Sequence, residues 1–172
     1  VDYFDRSIEL ETYLKENDKS HMIKDLASPN VRIQYMRQPY ATGLGDAVLL
    51  GKHFVGDEAF AVLLPDDIIL NNGKSGLSQL IEASDGSKNS VVGLRVVEDQ
   101  YLNKYGVVGA KKMNNQIVEL TDMEEKPKSN PPSNMAVIGR YLFQPKLFSY
   151  LEKVKPGAGG GDSTNGCDKN VN

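Results

Sequence analysis

The spacing of apolar residues along the chain alternates between helical and strand-like patterns. Apolar side chains spaced by four predict an amphipathic helix over residues 4–16. Alternation of apolar and polar residues predicts a half-buried strand over 31–36. The nearly continuous apolar run at 59–64 predicts a strand buried on both faces of a parallel sheet. Further helices are predicted at 44–55, 77–81 and 147–154, and further strands at 90–97, 105–110, 116–120 and 135–143.

This order of elements predicts the fold class. Strands and helices alternate over residues 31–97, which favours an α/β fold with a mixed, mostly parallel twisted sheet and helices on both faces. Residues 156–172 contain almost no apolar side chains, so we expect a disordered polar tail after a folded part that ends near residue 155.

Composition narrows the class of protein. The 172 residues are enough for one domain with a sizeable core, and 40% of them are apolar. The net charge of −3 lacks the basic excess that non-specific nucleic-acid binding requires. Cys167 is the single cysteine, so no disulfide can form within the chain. Since no apolar run reaches the roughly 20 residues of a membrane helix, we expect a cytoplasmic protein without a membrane partner.

Two aspartates follow the apolar run at 59–64. Asp66 and Asp67 come where the predicted strand ends, and ligands of open α/β sheets bind at that end of the strands. A carboxylate there is a suitable ligand for Mg²⁺, which takes one or two protein carboxylates together with substrate phosphates. The alternative is that both residues only end the strand and cap the next turn.

A glycine-containing loop at 38–45 connects a predicted strand to a predicted helix. Its glycines allow the backbone to approach a ligand, and the helix that follows directs N–H groups towards an acceptor. The loop lacks the GK[ST] ending of a phosphate-binding Walker loop and the third glycine of a dinucleotide fingerprint. A plain glycine-rich turn is the alternative.

Three further positions are candidates for binding. Glu125 and Lys126 stand side by side, where they would bind a sugar hydroxyl and a phosphate or form a solvated surface pair. Gly106 follows Tyr105 in a turn whose backbone N–H would meet a hydroxyl, or in a simple bend between strands. Arg140 is interpreted as a charge on an edge strand.

The order of these motifs resembles a known family. RQPYATGLGDAV at 37–48, VGDEAFAVLLPDDII at 55–69 and KYGVVGA at 104–110 are followed by EEKPKSNPPSNMAVIGRYLF at 124–143. With DYFDRSIELETYL at 2–14 and KPGAGG at 155–160, these stretches run collinearly over residues 2–160. They resemble the bacterial UTP–glucose-1-phosphate uridylyltransferases (UDP-glucose pyrophosphorylases), which are sugar nucleotidyltransferases.

The resemblance implies a Rossmann-like nucleotidyltransferase fold and a reaction of UTP with glucose 1-phosphate that gives UDP-glucose and pyrophosphate, assisted by Mg²⁺. It also implies roles for single residues. These are uracil contacts from Gln38 and Gly43, a Mg²⁺ ligand in Asp66, glucose contacts from Gly106 and Glu125, and a phosphate contact from Lys126. Asp66 and Lys126 are then the catalytic residues, and we expect them to share one hollow with Gly43.

The sequence departs from the family pattern in three places. Asp46 stands where the family usually has His after G-L-G. The family's G-x-G-T-R loop and its later metal-binding aspartate have no counterpart, so residues 1–155 resemble the central part of the catalytic domain. We therefore expect the chain alone to turn over poorly. The alternative is a non-catalytic sugar-nucleotide binding or assembly module, and the resemblance also implies a homo-oligomer.

Overall fold

The structure is a computed structural model that describes residues 7–24, 31–71, 73–86, 88–114 and 116–154. The chain divides into two compact units, Val1–Arg37 and Gln38–Asn172. The polar tail predicted for 156–172 lies outside the described residues, and the boundary near residue 155 stays a prediction.

The first unit contains a helix that the apolar spacing predicts. Helix α1 spans Ile8–Glu16, and the Ser7 side chain caps it by accepting a hydrogen bond from the backbone N–H of Leu10 at 3.3 Å. Leu14 is buried, and a short 3₁₀ helix follows at Ser20–Lys24. The prediction of a helix over 4–16 is confirmed for its described part.

The strand predicted over 31–36 is wrong. The segment contains no strand, and its apolar side chains Val31, Ile33, Tyr35 and Met36 are exposed. Alternation stabilises a strand only where a neighbouring strand pairs with its backbone and one face is buried. Among the described residues, no strand pairs with this segment.

The second unit begins with two short helices in place of the one predicted over 44–55. Helix α2 spans Leu44–Leu50 and α3 spans Lys52–Val55, with Gly51 between them. The elements that follow are β1 (Phe60–Leu63), α4 (Gly76–Ser84), β2 (Val91–Val96), a 3₁₀ helix (Asp99–Lys104), β3 (Gly106–Lys112), β4 (Val118–Glu125), β5 (Met135–Phe143) and α5 (Lys146–Leu151).

The sheet is built around β5. This strand pairs with β1, β2 and β3, and β3 pairs with β4. Each of these pairings is antiparallel. The α/β class is confirmed, whereas the prediction of a mostly parallel sheet is wrong for the described strands.

The apolar run at 59–64 misled the prediction for a physical reason. A continuous apolar run does not determine whether the neighbouring strands run parallel or antiparallel. The expected burial on both faces is also wrong, because among the described strands β1 pairs only with β5 and is partly exposed, with Leu63 52% exposed. β1 and β2 are each antiparallel to β5 because β5 returns between them. Helix α4 packs against β2 and β5, and the prediction of helices on both faces stays a prediction.

The core of this unit lies where β5 meets α5. Phe143 of β5 is buried together with Leu147 and Phe148 of α5. The ring of Phe148 stacks on Phe60 of β1, with centroids 4.8 Å apart and an interplanar angle of 7°. These contacts fix the end of the sheet that carries β1.

No helix among the described residues is both long enough and apolar enough to cross a membrane.

Candidate active site

Strands β1 and β3 pair with the same edge of β5, and the candidate site lies between them. Tyr141 pairs with Val62 of β1 and Val92 of β2, so these two strands lie on opposite edges. Ala136 likewise pairs with β2 and β3. Because β2 occupies one edge along the length of β5, β1 and β3 share the other, β1 near its end and β3 near its start.

A cavity of about 180 Å³ opens where β1 and β3 diverge. Val137 and Gly139, from the part of β5 between the two pairings, contribute to its lining. The polar and charged lining residues are Asp66, Asp67, Lys104, Tyr105, Glu125, Lys126 and Tyr141, and Leu64 and Gly106 complete the set. Three acidic and two basic residues therefore line a small space, a mixture suited to a ligand with hydroxyls and a phosphate.

The hairpin of β3 and β4 brings Gly106 and Glu125 together. These residues are direct partners in the antiparallel register. Lys126 follows in a left-handed conformation with φ 47°, and its backbone N–H donates to Tyr105 O at 3.0 Å. Its ammonium lies 3.5 Å from Glu125 Oε1, with 63% of the Lys126 side chain exposed. At that exposure the ion pair contributes little to stability.

Asp66 lies three residues after the end of β1 and lines the same cavity. Its side chain is exposed and takes part in none of the hydrogen bonds or ion pairs described for the second unit. No group of three His, Cys, Asp or Glu side chains among the described residues is arranged to hold a metal. The donor set fits Mg²⁺ only in its substrate-assisted form, in which one or two carboxylates act with phosphate oxygens and water.

Gln38 and Gly43 form a second cluster at the start of α2 and do not line this cavity. Gln38 Nε2 donates to Gly43 O at 3.1 Å, to Thr42 Oγ1 at 2.9 Å and to Asp46 Oδ2 at 2.8 Å. Since a carbonyl and a carboxylate can only accept, these bonds fix the orientation of the amide, and Oε1 is the end left to accept. The expectation of one hollow shared with Gly43 therefore holds for Asp66 and Lys126 only.

Asp46 closes the network of the second cluster. Thr42 Oγ1 donates to Asp46 Oδ2 at 2.6 Å. The hydrogen bonds from Thr42 and Gln38 hold the pKa of the Asp46 carboxyl below its usual value, because both stabilise the charged form. Asp46, which stands where the family usually has His, is thus ionised at neutral pH and accepts hydrogen bonds from Gln38 and Thr42.

Comparison with known proteins gives this arrangement a family. The sequence profile of the nucleotidyl transferases matches residues 5–168. The chain belongs to the nucleotidyl transferase family. It is 39% identical over 162 residues to a UTP–glucose-1-phosphate uridylyltransferase of Bacillus subtilis (strain 168), covering 92% of this chain and 55% of the relative.

Solved structures agree with this family. A UDP-glucose pyrophosphorylase complexed with UDP-glucose superposes on the chain with a TM-score of 0.80 at 34% identity, covering 96% of this chain and 61% of the other. A UTP-bound enzyme of the same kind from Acinetobacter baumannii gives a TM-score of 0.81 at 32% identity, covering 97% and 60%. This nucleotidyl transferase chain therefore spans less than two thirds of the length of each of these relatives.

Two features of this nucleotidyl transferase escaped the sequence analysis. Lys104 lines the cavity beside Tyr105, and only its position immediately before the Tyr105–Gly106 pair would have singled it out. Arg140 is not on an edge strand, because β5 pairs on both sides, and its guanidinium donates to backbone carbonyls. The sequence around Arg140 predicts only a strand, and it does not indicate that this strand is central or that the arginine is half-buried.

Proposed function

We propose that this protein is a UTP–glucose-1-phosphate uridylyltransferase that converts UTP and glucose 1-phosphate into UDP-glucose and pyrophosphate. One observation carries the proposal: Asp66, Gly106, Glu125 and Lys126, singled out separately along the sequence, line one cavity. The names of the similar proteins, a uridylyltransferase and two UDP-glucose pyrophosphorylases, support the same chemistry.

The glucose phosphate end of the substrate is assigned to the cavity. Glu125 accepts hydrogen bonds from glucose hydroxyls, the backbone of Gly106 contacts a further hydroxyl, and the Lys126 ammonium neutralises the sugar phosphate. The volume of about 180 Å³ is below the roughly 300 Å³ at which whole small-molecule sites begin. The cavity is therefore matched to one part of a nucleotide sugar, and we assign the uracil to Gln38 and Gly43.

Asp66 is assigned to the metal-assisted part of the reaction. Its carboxylate would ligate Mg²⁺ together with phosphate oxygens of UTP. When bound, the cation neutralises negative charge on the phosphates.

The transfer itself exchanges one P–O bond for another. An oxygen of the glucose 1-phosphate group bonds to the α-phosphorus of UTP as the bond from that phosphorus to the pyrophosphate oxygen breaks. The protein forms no covalent bond, so its contribution is positioning and electrostatic stabilisation. Lys126 orients the attacking phosphate, and Glu125 with Gly106 fixes the sugar that carries it.

The proposal is tested by the Mg²⁺ dependence of UDP-glucose binding, measured by calorimetry. We expect Mg²⁺ to strengthen binding in the unsubstituted protein and Asp66→Asn to remove that increment. Asp57→Asn, which changes an exposed carboxylate in the turn before β1, is the control and leaves the increment unchanged.

The alternative function predicts a different result. A non-catalytic sugar-nucleotide binding module binds UDP-glucose without Mg²⁺, is insensitive to Asp66→Asn and releases no pyrophosphate from UTP and glucose 1-phosphate. That combination would replace the transferase proposal. Absence of any UDP-glucose binding would contradict both.

A further inference from the structure

Arg140 donates hydrogen bonds to the chain segment that carries Asp66. Its Nη1 donates to Leu64 O at 2.7 Å and to Gly139 O at 2.9 Å, and its Nη2 donates to Asp67 O. Leu64 and Asp67 stand on either side of the Pro65–Asp66 pair. One side chain on the central strand therefore fixes the backbone both before and after the aspartate.

Contacts made by residues next to Arg140 and by β2 add to these hydrogen bonds. The backbone N–H of Leu64 donates to Gly139 O at 2.9 Å, so both backbone polar groups of Leu64 are bonded to the Gly139–Arg140 pair. Gly93 of β2 packs under Arg140, since a Cβ added there would lie 3.1 Å from the Cβ of Arg140. The guanidinium is half-buried and does not line the cavity. It therefore acts on Asp66 through the backbone and not on a ligand.

We infer that Arg140 is a positioning residue that holds the Asp66 carboxylate at the cavity for cation and phosphate binding. The inference rests on the proposed function, because it takes Asp66 as the metal ligand. A planar guanidinium has donors in a fixed fork, so it spans two carbonyls of one turn at once, whereas the ammonium of lysine is a single point of donation. Groups that orient a metal ligand without touching the metal typically change metal affinity by about 10–100-fold when removed.

The test compares Arg140→Met and Arg140→Lys with Arg95→Met. Arg95 lies exposed on β2, so its substitution removes the same charge from the same sheet without touching the Asp66 segment. Affinity is measured by electron paramagnetic resonance with Mn²⁺ as the probe, at saturating UDP-glucose. Order parameters of the Asp66, Asp67 and Ile68 amides are measured by ¹⁵N relaxation.

We expect Arg140→Met to weaken Mn²⁺ binding by about tenfold or more and to lower the order parameters of these amides towards about 0.6. Arg140→Lys gives an intermediate loss, and Arg95→Met changes neither quantity. Removing a positive charge near a cation site would by itself tighten cation binding. A weakened affinity therefore reports positioning and not charge.

Mn²⁺ affinity within twofold of the unsubstituted protein in Arg140→Met would overturn the inference. Should Arg140→Met fail to fold, Arg140→Lys decides by the same criterion. Asp66→Asn in the same series separates the two proposals. If it weakens Mn²⁺ binding and the Arg140 variants do not, only the role of Arg140 is refuted. If it leaves the affinity unchanged, the metal assignment of Asp66 is refuted and the inference falls with it.

Discussion

Asp46 is a single substitution of the family pattern with a local explanation. Its carboxylate accepts from Thr42 and Gln38, and the same Gln38 amide donates to Gly43 O. The result is a closed network in the first turn of α2, where a negative charge also suits the helix dipole. The network leaves Oε1 of the Gln38 side chain as the amide atom able to accept a hydrogen bond from a ligand.

Thr42→Val is predicted to raise the pKa of Asp46 towards its ordinary value, because it removes the larger of the two stabilising hydrogen bonds. A carboxyl with a lowered pKa contributes stability that is present above about pH 4 and lost as pH falls through the lowered pKa. The stability difference between the two proteins should therefore be full at neutral pH and shrink in acid.

The measurement is a carboxyl ¹³C titration of Asp46 with denaturant unfolding at several pH values. Thr121→Val, an exposed threonine of β4, is the matched control. An unchanged titration of Asp46 in Thr42→Val would show that the Thr42 hydroxyl does not stabilise the charged carboxylate.

The residues that line the cavity, and Arg140, which bonds to the Asp66 segment without lining the cavity, were predicted to very different degrees. Asp66 stands out in the sequence because it closely follows an apolar run, and Glu125 and Lys126 stand out because two opposite charges end a strand-like stretch. Arg140 does not stand out, since its acceptors are backbone carbonyls 73 and 76 residues away. Every residue has a backbone carbonyl, so a hydrogen bond to backbone oxygens does not require particular residue types and cannot be inferred from the sequence.

Strand β5 contains a backbone irregularity beside the cavity. Gly139 has φ +62°, and a Cβ added there would lie 3.0 Å from the Cβ of Leu64. Gly139 lies between the residues that pair with β3 and those that pair with β1. The close approach of Leu64 to the strand thus requires glycine at this position.

Gly139→Ala is predicted to destabilise the protein by about 2–5 kcal/mol, from the left-handed backbone and from overpacking against Leu64. Gly86→Ala is the matched control, because Gly86 has φ +66° with no atom within 4 Å of the added Cβ. It should cost about 1–2 kcal/mol. Equal losses in denaturant unfolding would contradict a steric role for Leu64.

Helix α5 is held by its aromatic contact with β1. Phe148 is 2% exposed, whereas Phe54 of α3 is 60% exposed. We predict that Phe148→Ala lowers the free energy of unfolding by about 3–5 kcal/mol, because a cavity opens in the core. Phe54→Ala should change it by no more than about 0.5 kcal/mol. Similar losses in thermal unfolding would place the core elsewhere.

The second unit combines a sheet edge that opens into a cavity with the cluster of Gln38 and Gly43 outside that cavity, to which we assign the uracil. If both bind one nucleotide sugar, UDP-glucose with Mg²⁺ at about 100 times its Kd stabilises the protein by about 2.7 kcal/mol. That corresponds to a rise in melting temperature of about 5–10 °C for a protein of this size. Glucose alone should give no shift at the same concentration. A shift as large with ADP-glucose would contradict recognition of uracil by Gln38 and Gly43.

The positions of most elements from β1 onwards were already determined by the sequence, whereas the strand predicted over 31–36 was wrong. Strand β5 was predicted with its full range, and β1, β2 and α4 within a few residues, because the spacing of apolar side chains is a local property. Only the tertiary structure decided the strand directions and the edge that β1 and β3 share. It alone also showed the hydrogen bonds from Arg140 to the chain on both sides of Asp66. These depend on which strands pair and in which direction, between residues far apart in the chain, and the apolar spacing within one strand does not determine either.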